Sequence, residues 1–546
     1  MRDGYWLLAS WVVPLATAAI LLLIPSTAGK LIRGFAALSG LIQFGIALWI
    51  FFAYETGNGG FQFEAQWRWV ENVAFLGPGG ITMHLGVDGI AAPMVLLTGI
   101  VILAGSLVSW KVQHRTKDFY VLLMTLTAGV FGTFVALDMF FFFWFYELAV
   151  IPMYLLIVVW GSTNKEYGAM KLTVMLVAAS VLIFIAIFAI FAEAGQGTFN
   201  LTALWGQTYD EDFQKLIFPL IAIGCGVLGG LWPFHTWSPD GHVAAPTAVS
   251  MLHAGVLMKL GAFGVIRLGI QMMPEGAAFW MPGLLVLGTV NALYGAFSAM
   301  AQRDMKFMIG YSSVSHMGYV FMGLATLNVV GVSGAVLQMF AHGVMTALFF
   351  AMVGAIYDQA HTRWIPGFGG IARVMPIFVI FFTLAGMSSL GLPGLAGFVA
   401  EFNIFVGIFE SYPVFGGLAV LAAAVTAAYI LRMVGTTFFG ELNPRWQGLH
   451  DVQKTELVAG GLLAAAILWM GIFPKPFTDR IGDGVAGLPG VQQTVSVAAH
   501  EQVRAVPGRR SVDSRLSLWI DGVDLLRPKT AVASLGPRPA ALSSGS

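Results

Sequence analysis

The sequence predicts an all-α polytopic membrane protein of about fourteen transmembrane helices, and three observations carry that prediction. Of its 546 residues 58% are hydrophobic and 10% charged, with a mean hydropathy of +0.80, well outside the composition of a water-soluble domain. Apolar runs of roughly 18 to 25 residues recur as far as about residue 474, each long enough to cross a hydrocarbon core about 30 Å thick as a helix. These runs are continuous, whereas the strands of a membrane β-barrel would read as short alternating segments.

The first run, MRDGYWLLASWVVPLATAAILLLIP, is too long for a signal-peptide core and reads as an uncleaved span. The others centre near residues 42, 97, 127, 150, 181, 224, 257, 289, 314, 344, 385, 425 and 464. With an even number of spans both termini share one side. The odd-numbered loops hold twelve Lys and Arg residues (30, 33, 111, 115, 117, 165, 303, 306, 363, 373, 445 and 454), the even-numbered loops only Arg68 and Lys215. By the positive-inside rule the odd loops are cytoplasmic and both termini extracytoplasmic. Beyond Pro474 the composition turns to Pro, Gly, Ser and Arg. One short amphipathic helix is expected there, in SVDSRLSLWIDGVDLL, and residues 475–546 are otherwise expected to be a largely flexible tail.

Two spans are interrupted by proline and glycine in the same manner, in GGLWPFHTWSPDGH (229–242) and SSLGLPGLAGFVAEF (388–402). Paired broken segments mark an internally repeated transporter with ion sites near the breaks. The two units are expected at about residues 118–270 and 277–438, preceded by three helices in 1–117 and followed by a last span in 439–474.

A formal net charge of zero gives no reason to expect a nucleic-acid partner. The single cysteine, Cys225, cannot build a disulfide or an iron–sulfur site, and no nucleotide-binding glycine fingerprint follows a strand. The histidines lack the short spacing of a metal site. No cofactor is therefore expected on this chain, and any redox chemistry would sit on partner chains.

Against that apolar background a few ionisable residues stand out. Glu147 is the one charge in FFFFWFYELAVIPMY, and an isolated carboxylate in lipid costs several kcal/mol, so it must face the bundle, pair, or bind a proton. The alternative is a permanently paired structural carboxylate. Lys259 lies near the centre of its span, in SMLHAGVLMKLGAFG; burial disfavours its ammonium form, which suits alternate loading and release of a proton. Fixed to one carboxylate, it would be structural instead. Arg267, two turns later, is expected to pair or to snorkel. Glu401 follows the second break. His316 and His342 lie in successive spans, and an imidazole can pass protons through its two ring nitrogens, although a lone helical histidine is more often a packing residue. His235 sits at the first break, where it could merely cap a helix end. His253 lies six residues before Lys259, about 120° round an α-helix, so the two share no face. The run Phe140 to Phe145 reads as lipid-facing and packing surface.

The stretches PFHTWSPDGHVAAPTAVSMLHAGVLMKLGAFGVIRL (233–268), RDMKFMIGYSSVSHMGYV (303–320) and LPGLAGFVAEF (392–402) resemble the antiporter-like subunits of respiratory NADH:quinone oxidoreductase, complex I, most closely the subunit M (chain 4) branch. The resemblance covers about residues 85–474. It implies two inverted five-helix repeats with broken helices 7 and 12, and proton translocation driven by quinone reduction elsewhere in the complex. It implies flavin, iron–sulfur clusters and quinone on partner subunits, and neighbouring antiporter-like subunits in the bilayer. By position, Glu147, Lys259, His316, His342 and Glu401 match that family's buried polar axis. The family's usual lysine in helix 7 falls here on Leu228, leaving Glu147 without its customary cation. Either His235, seven residues on, takes over as the titrating base, or Lys259 alone serves Glu147. A subunit of a multi-chain sodium–proton antiporter, a membrane subunit of a hydrogenase-linked complex and a non-pumping spacer are the competing readings. Abundant Gly and Ala suggest a bacterial plasma membrane.

Overall fold

The computed structural model describes residues 4–70 and 79–492. Each of the fourteen expected centres falls inside a helix. The chain opens with α1 (Gly4–Leu23) and α2 (Gly29–Ala53), then a hairpin of β1 (Gln62–Val70) and β2 (Ile81–Val87). There follow α3 (Ala91–Val108), α4 (Thr116–Val135), α5 (Met139–Trp160), α6 (Lys165–Ala194), a short α7 (Leu201–Leu204), α8 (Glu211–Leu228) and α9 (Trp237–Ala244). α10 (Thr247–Ile270), α11 (Pro274–Ala301), α12 (Met305–Ala325), α13 (Val329–Ala360), α14 (Pro376–Ser389), α15 (Ala396–Ser411), α16 (Pro413–Phe438), α17 (Lys454–Ile472) and α18 (Lys475–Ala486) complete it. Among the described residues eleven helices are long and apolar enough to cross a membrane. The expected spans that fall short have visible reasons: α8 opens with Glu211, Asp212 and Lys215, α12 carries a serine-, lysine- and histidine-bearing face, and α14 stops at a break.

Helix is the only way these segments can satisfy every backbone group in lipid. Which of them are central follows from composition. α3, α10 and α13 are buried nearly all round, whereas α1, α6 and α16 leave a broad apolar face outward.

The two breaks close in the same way. After α8, Gly230 takes a positive φ of 75°, its N–H bonds to the Val227 carbonyl and the Leu231 N–H to that of Gly226. After α14, Gly391 takes a φ of 72°, with Gly391 N–H to Ser388 and Leu392 N–H to Met387. Both are glycine caps that satisfy the last carbonyls of a helix halted at membrane depth. The N-termini repeat as well. Asp138 accepts from the Phe140 and Phe141 amides ahead of α5, and Asp304 from the Lys306 and Phe307 amides ahead of α12.

The second loop holds a β-hairpin. QFEAQWRWV and ITMHLGV alternate apolar and polar residues with the period of a strand, and they pair antiparallel with Trp67 opposite Met83 and Gln66 opposite His84. The flexible tail was expected to begin at residue 475, yet α18 occupies that position, burying Phe477, Ile481 and Val485 at a four-residue spacing, and Gln492 bridges to Asn328. The amphipathic helix expected in SVDSRLSLWIDGVDLL lies outside the described residues.

On the even-loop face, burial pushes the Asp138 carboxyl up to about 6, against hydrogen bonds from the Phe140, Phe141 and Thr82 amides and the Thr82 hydroxyl. The folded state thus holds this proton more tightly than the unfolded chain, whose carboxyl titrates near 3.8. The stabilisation is complete below the unfolded value and is lost as pH rises to about 6. Thermal unfolding of the solubilised protein between those limits should show a falling midpoint that Asp138→Asn flattens.

Candidate functional site

Lys259 and the residues singled out in the second half meet in one buried run. Glycine places them. α10 and α13 cross where a Cβ on Gly255 would lie 3.1 Å from the Gly343 carbonyl, and one on Gly343 would lie 2.6 Å from that of Gly255. No larger residue permits that backbone approach. One turn beyond Gly255 stands Lys259; immediately before Gly343 stands His342. Lys259 is fully buried, and its Nζ donates to the Ala254 carbonyl and lies 2.6 Å from His342 Nδ1. The lysine folds back on its own helix beside a π-type turn over His253–Leu257, an irregularity frequent at functional sites.

The His342 ring lies 5.3 Å, centroid to centroid, from that of His316 on α12. His316 Nε2 is 3.0 Å from the Ser389 hydroxyl, the last residue of α14, and Nδ1 is 3.2 Å from Glu401 Oε1 on α15. The second break therefore contributes two contacts to one imidazole, from the helix before it and the helix after it. Gln338, one turn before His342, sets its amide nitrogen 3.1 Å from His316 Nδ1 and 3.5 Å from Glu401 Oε1. Nδ1 thus has two competing partners. When protonated it donates to Glu401; when bare it accepts from Gln338. Glu401, His316, His342 and Lys259 are all at least 95% buried, and the free Nε2 of His342 is the one ring nitrogen of the two imidazoles without a protein hydrogen-bond partner.

The first half is not connected in this manner. Glu147 on α5 is partly exposed, lies near Ser180 of α6, and leaves Oε1 without a hydrogen bond. Among the described residues no cation pairs with it. His235 is buried with its ring edge-on to Tyr294 at 4.9 Å, both ring nitrogens unpartnered, and the cation nearest in effect is Lys171, itself 2.7 Å from Asp240. His235 and Glu147 are not brought together. Lys259, the other proposed partner of Glu147, spends its contacts on Ala254 and His342. Leu228 is fully buried at the end of α8. Arg267 pairs with Asp88, the carboxylate that caps α3, and stacks between Phe61 and Phe263.

Residues absent from the expected set also cluster here. His242 and His253 are fully buried with rings 4.5 Å apart, and none of their four ring nitrogens has a protein hydrogen-bond partner. Trp237 stacks on His253 and anchors its indole N–H on the Val227 carbonyl. Gln338 could have been suspected from LQMFAHG, where it sits one turn before His342. The histidine pair could not, since it joins α9 to a π turn.

Residues 136–471 match the family model described as NADH:quinone oxidoreductase/Mrp antiporter, TM. Chain 4-2 of the NAD(P)H-quinone oxidoreductase of Synechocystis sp. is 37% identical over 80% of this chain and 79% of its own length. Chain 4 of the Gloeobacter violaceus enzyme is 35% identical over 92% and 95%. Among solved structures, a chain of respiratory complex I from Thermus thermophilus with bound NADH superimposes with a TM-score of 0.79 at 27% identity, over 88% of this chain and 99% of that one. A chain of the Mrp complex from Dietzia sp. gives 0.79 at 19% identity over 89% and 98%, a likeness of fold. With a family match over residues 136–471 and chain 4 relatives above 30% identity along most of its length, the chain belongs to the NADH:quinone oxidoreductase/Mrp antiporter transmembrane family, in its chain 4 (subunit M) branch.

Proposed function

We propose that the run Lys259, His342, His316 and Glu401 is the route by which this chain carries protons. As a chain 4 subunit the protein is a proton-translocating membrane component of NADH:quinone oxidoreductase, working with the other subunits of that complex. The observation that carries the residue assignment is the His316 imidazole held between Ser389 and Glu401 across the second break, with His342 and Lys259 in line behind it. A proton placed on Lys259 repels one on His342, and a proton on His316 favours ionised Glu401, so loading at one end biases release at the other.

Residues 118–270 and 277–438 form the two inverted units on this reading, supported by the matching glycine caps and by Asp138 and Asp304 capping equivalent helices. Proton transfer runs from Lys259, at the end of the first unit, into the second. Glu147, without a lysine at 228 and with neither His235 nor Lys259 in contact with it, stands apart from this route. The odd loops face the cytoplasm of a bacterial plasma membrane, both termini lie outside, and flavin, iron–sulfur clusters and quinone are carried by partner subunits.

The test is purification of the tagged chain from its native membrane, followed by reconstitution of what accompanies it. NADH:quinone activity coupled to proton uptake into vesicles, insensitive to sodium and cut by His342→Leu with NADH oxidation by an artificial acceptor retained, is the expected result. Recovery with only small membrane subunits and sodium-dependent exchange would overturn the proposal.

A further inference from the structure

Charge is shared unevenly along this chain. Residues 493–546, which follow Gln492, hold seven Lys and Arg against four Asp and Glu, so a chain of zero formal charge is basic in this stretch and acidic in the remainder. Arg504, Arg509 and Arg510 come with no acid between Glu501 and Asp513. Directly after them Val512, Leu516, Trp519, Val523 and Leu526 recur at steps of three and four, the spacing of one helical face, with Asp513, Asp521 and Asp524 off that stripe.

The described fold fixes where this stretch departs. Gln492 bonds through its backbone to Leu327 and Val329, and a Cβ on Gly490 would lie 3.4 Å from that of Pro274, the first residue of α11. α8 begins at the same spot: Gln214 Oε1 accepts from the Glu275 amide at 2.9 Å, and the Trp280 indole N–H donates to the Lys215 carbonyl at 2.8 Å. These two helix starts present Asp210, Glu211, Asp212 and Glu275 as an exposed acidic rim, in which Glu211 holds Lys215 at 2.7 Å. Inside the rim Leu216 is 70% exposed, Phe279 56% and Trp280 41%. Acyl chains cover a lateral apolar face, but these three side chains lie within the first two turns of their helices on the even-loop side, where hydrocarbon gives way to water.

We infer that residues 504–526 dock on this surface of their own chain. The three arginines meet the carboxylate rim of Asp210–Asp212 and Glu275, and the apolar stripe from Val512 to Leu526 covers Leu216, Phe279 and Trp280. Guanidinium groups match carboxylates in geometry as well as charge. The tether is long enough: the twelve residues from Gln492 to Arg504 span on the order of 20 Å as a flexible chain, and the rim starts beside the Pro274 contact of Gly490. A tether that short also holds the arginines at an effective concentration in the millimolar range, so individually weak contacts suffice. Docked in this way, the segment straps the start of α8 to the start of α11.

Cross-linking in the assembled complex tests this, independently of the proton route. Cys225 is buried, so introduced cysteines react alone. A short bis-maleimide should join Ser511→Cys to Ala278→Cys, on the patch, about fivefold or more faster than to Asn58→Cys, an exposed position elsewhere on the same face. Salt at about 0.5 M should remove most of that preference, because it screens the rim. Arg504→Glu, Arg509→Glu and Arg510→Glu together should remove it as well, and they leave every residue of the bundle in place. Equal rates at Ala278→Cys and Asn58→Cys, or a preference that survives the charge reversal, would overturn the docking. Cross-links from Ser511→Cys chiefly to another subunit would assign the segment to that neighbour instead. Protection of Arg509 and Arg510 from trypsin in vesicles of anionic phospholipid, with none in neutral vesicles, would assign it to the lipid surface; either result overturns the inference.

Discussion

Lys259→Ala in the assembled complex is expected to cut coupled proton uptake about tenfold or more, a loss on the order of 1.4 kcal/mol or greater in the barrier for transfer. NADH oxidation by an artificial acceptor should be retained. The reason is positional: Lys259 Nζ is the one ammonium in hydrogen-bond reach of His342 Nδ1 among the described residues, and the Gly255/Gly343 crossing holds it there. Lys259→Arg separates loading from mere charge. A guanidinium stays protonated in proteins, so it can keep a positive charge near His342 without releasing a proton. If Arg restored uptake, Lys259 would be acting as a fixed charge and the loading role would be wrong. Alanine and arginine variants that both lose uptake while the complex remains assembled are the expected pair.

Asp88→Ala is expected to cost about 3–5 kcal/mol of stability, the range for removing one partner of a buried ion pair. Asp88 accepts from Arg267 and from the Ile90 and Ala91 amides, so the change also removes the cap of α3. Arg267 is 2% exposed and would be left charged between Phe61 and Phe263. The loss should appear as a lower unfolding midpoint in detergent and a smaller yield of assembled complex. Replacing both residues together, Asp88→Asn with Arg267→Met, should recover part of it, since no uncompensated charge then remains. A single variant as stable as the wild type would show that water reaches Arg267 and that the pair is not buried in the working protein.

The Asp88–Arg267 pair illustrates a limit of reading a chain in one dimension. Sequence supplied Arg267 as a charge requiring a partner, but its partner is 179 positions away at the foot of a different helix. The same holds for His316. Its titrating chemistry and its span were evident, whereas the simultaneous contact with Ser389 and Glu401 exists because a glycine cap at Gly391 turns the chain between them. The paired strands β1 and β2 and the helix α18 were legible in strand and helix periodicity, and were overlooked because long apolar runs dominate such a composition. His242 and His253 meet through a π turn, which no α-helical wheel anticipates.

Sequence by itself determined the membrane class, the helix positions and the two broken segments, and it supplied the buried ionisable residues. These follow from the length of apolar runs, the disruption that proline and glycine cause, and the expense of a charge in lipid, all local or additive properties. Only the tertiary structure decided which of those residues act together. Lys259 meets His342, and His316 meets Glu401, at hydrogen-bond distance, with the two imidazoles packed 5.3 Å apart, because glycine-mediated crossings and a halted helix bring four elements together, while Glu147 and His235, equally conspicuous in sequence, do not join them. Proton transfer depends on separations of about 3 Å, and such separations are set by packing between elements rather than by the order of residues within them.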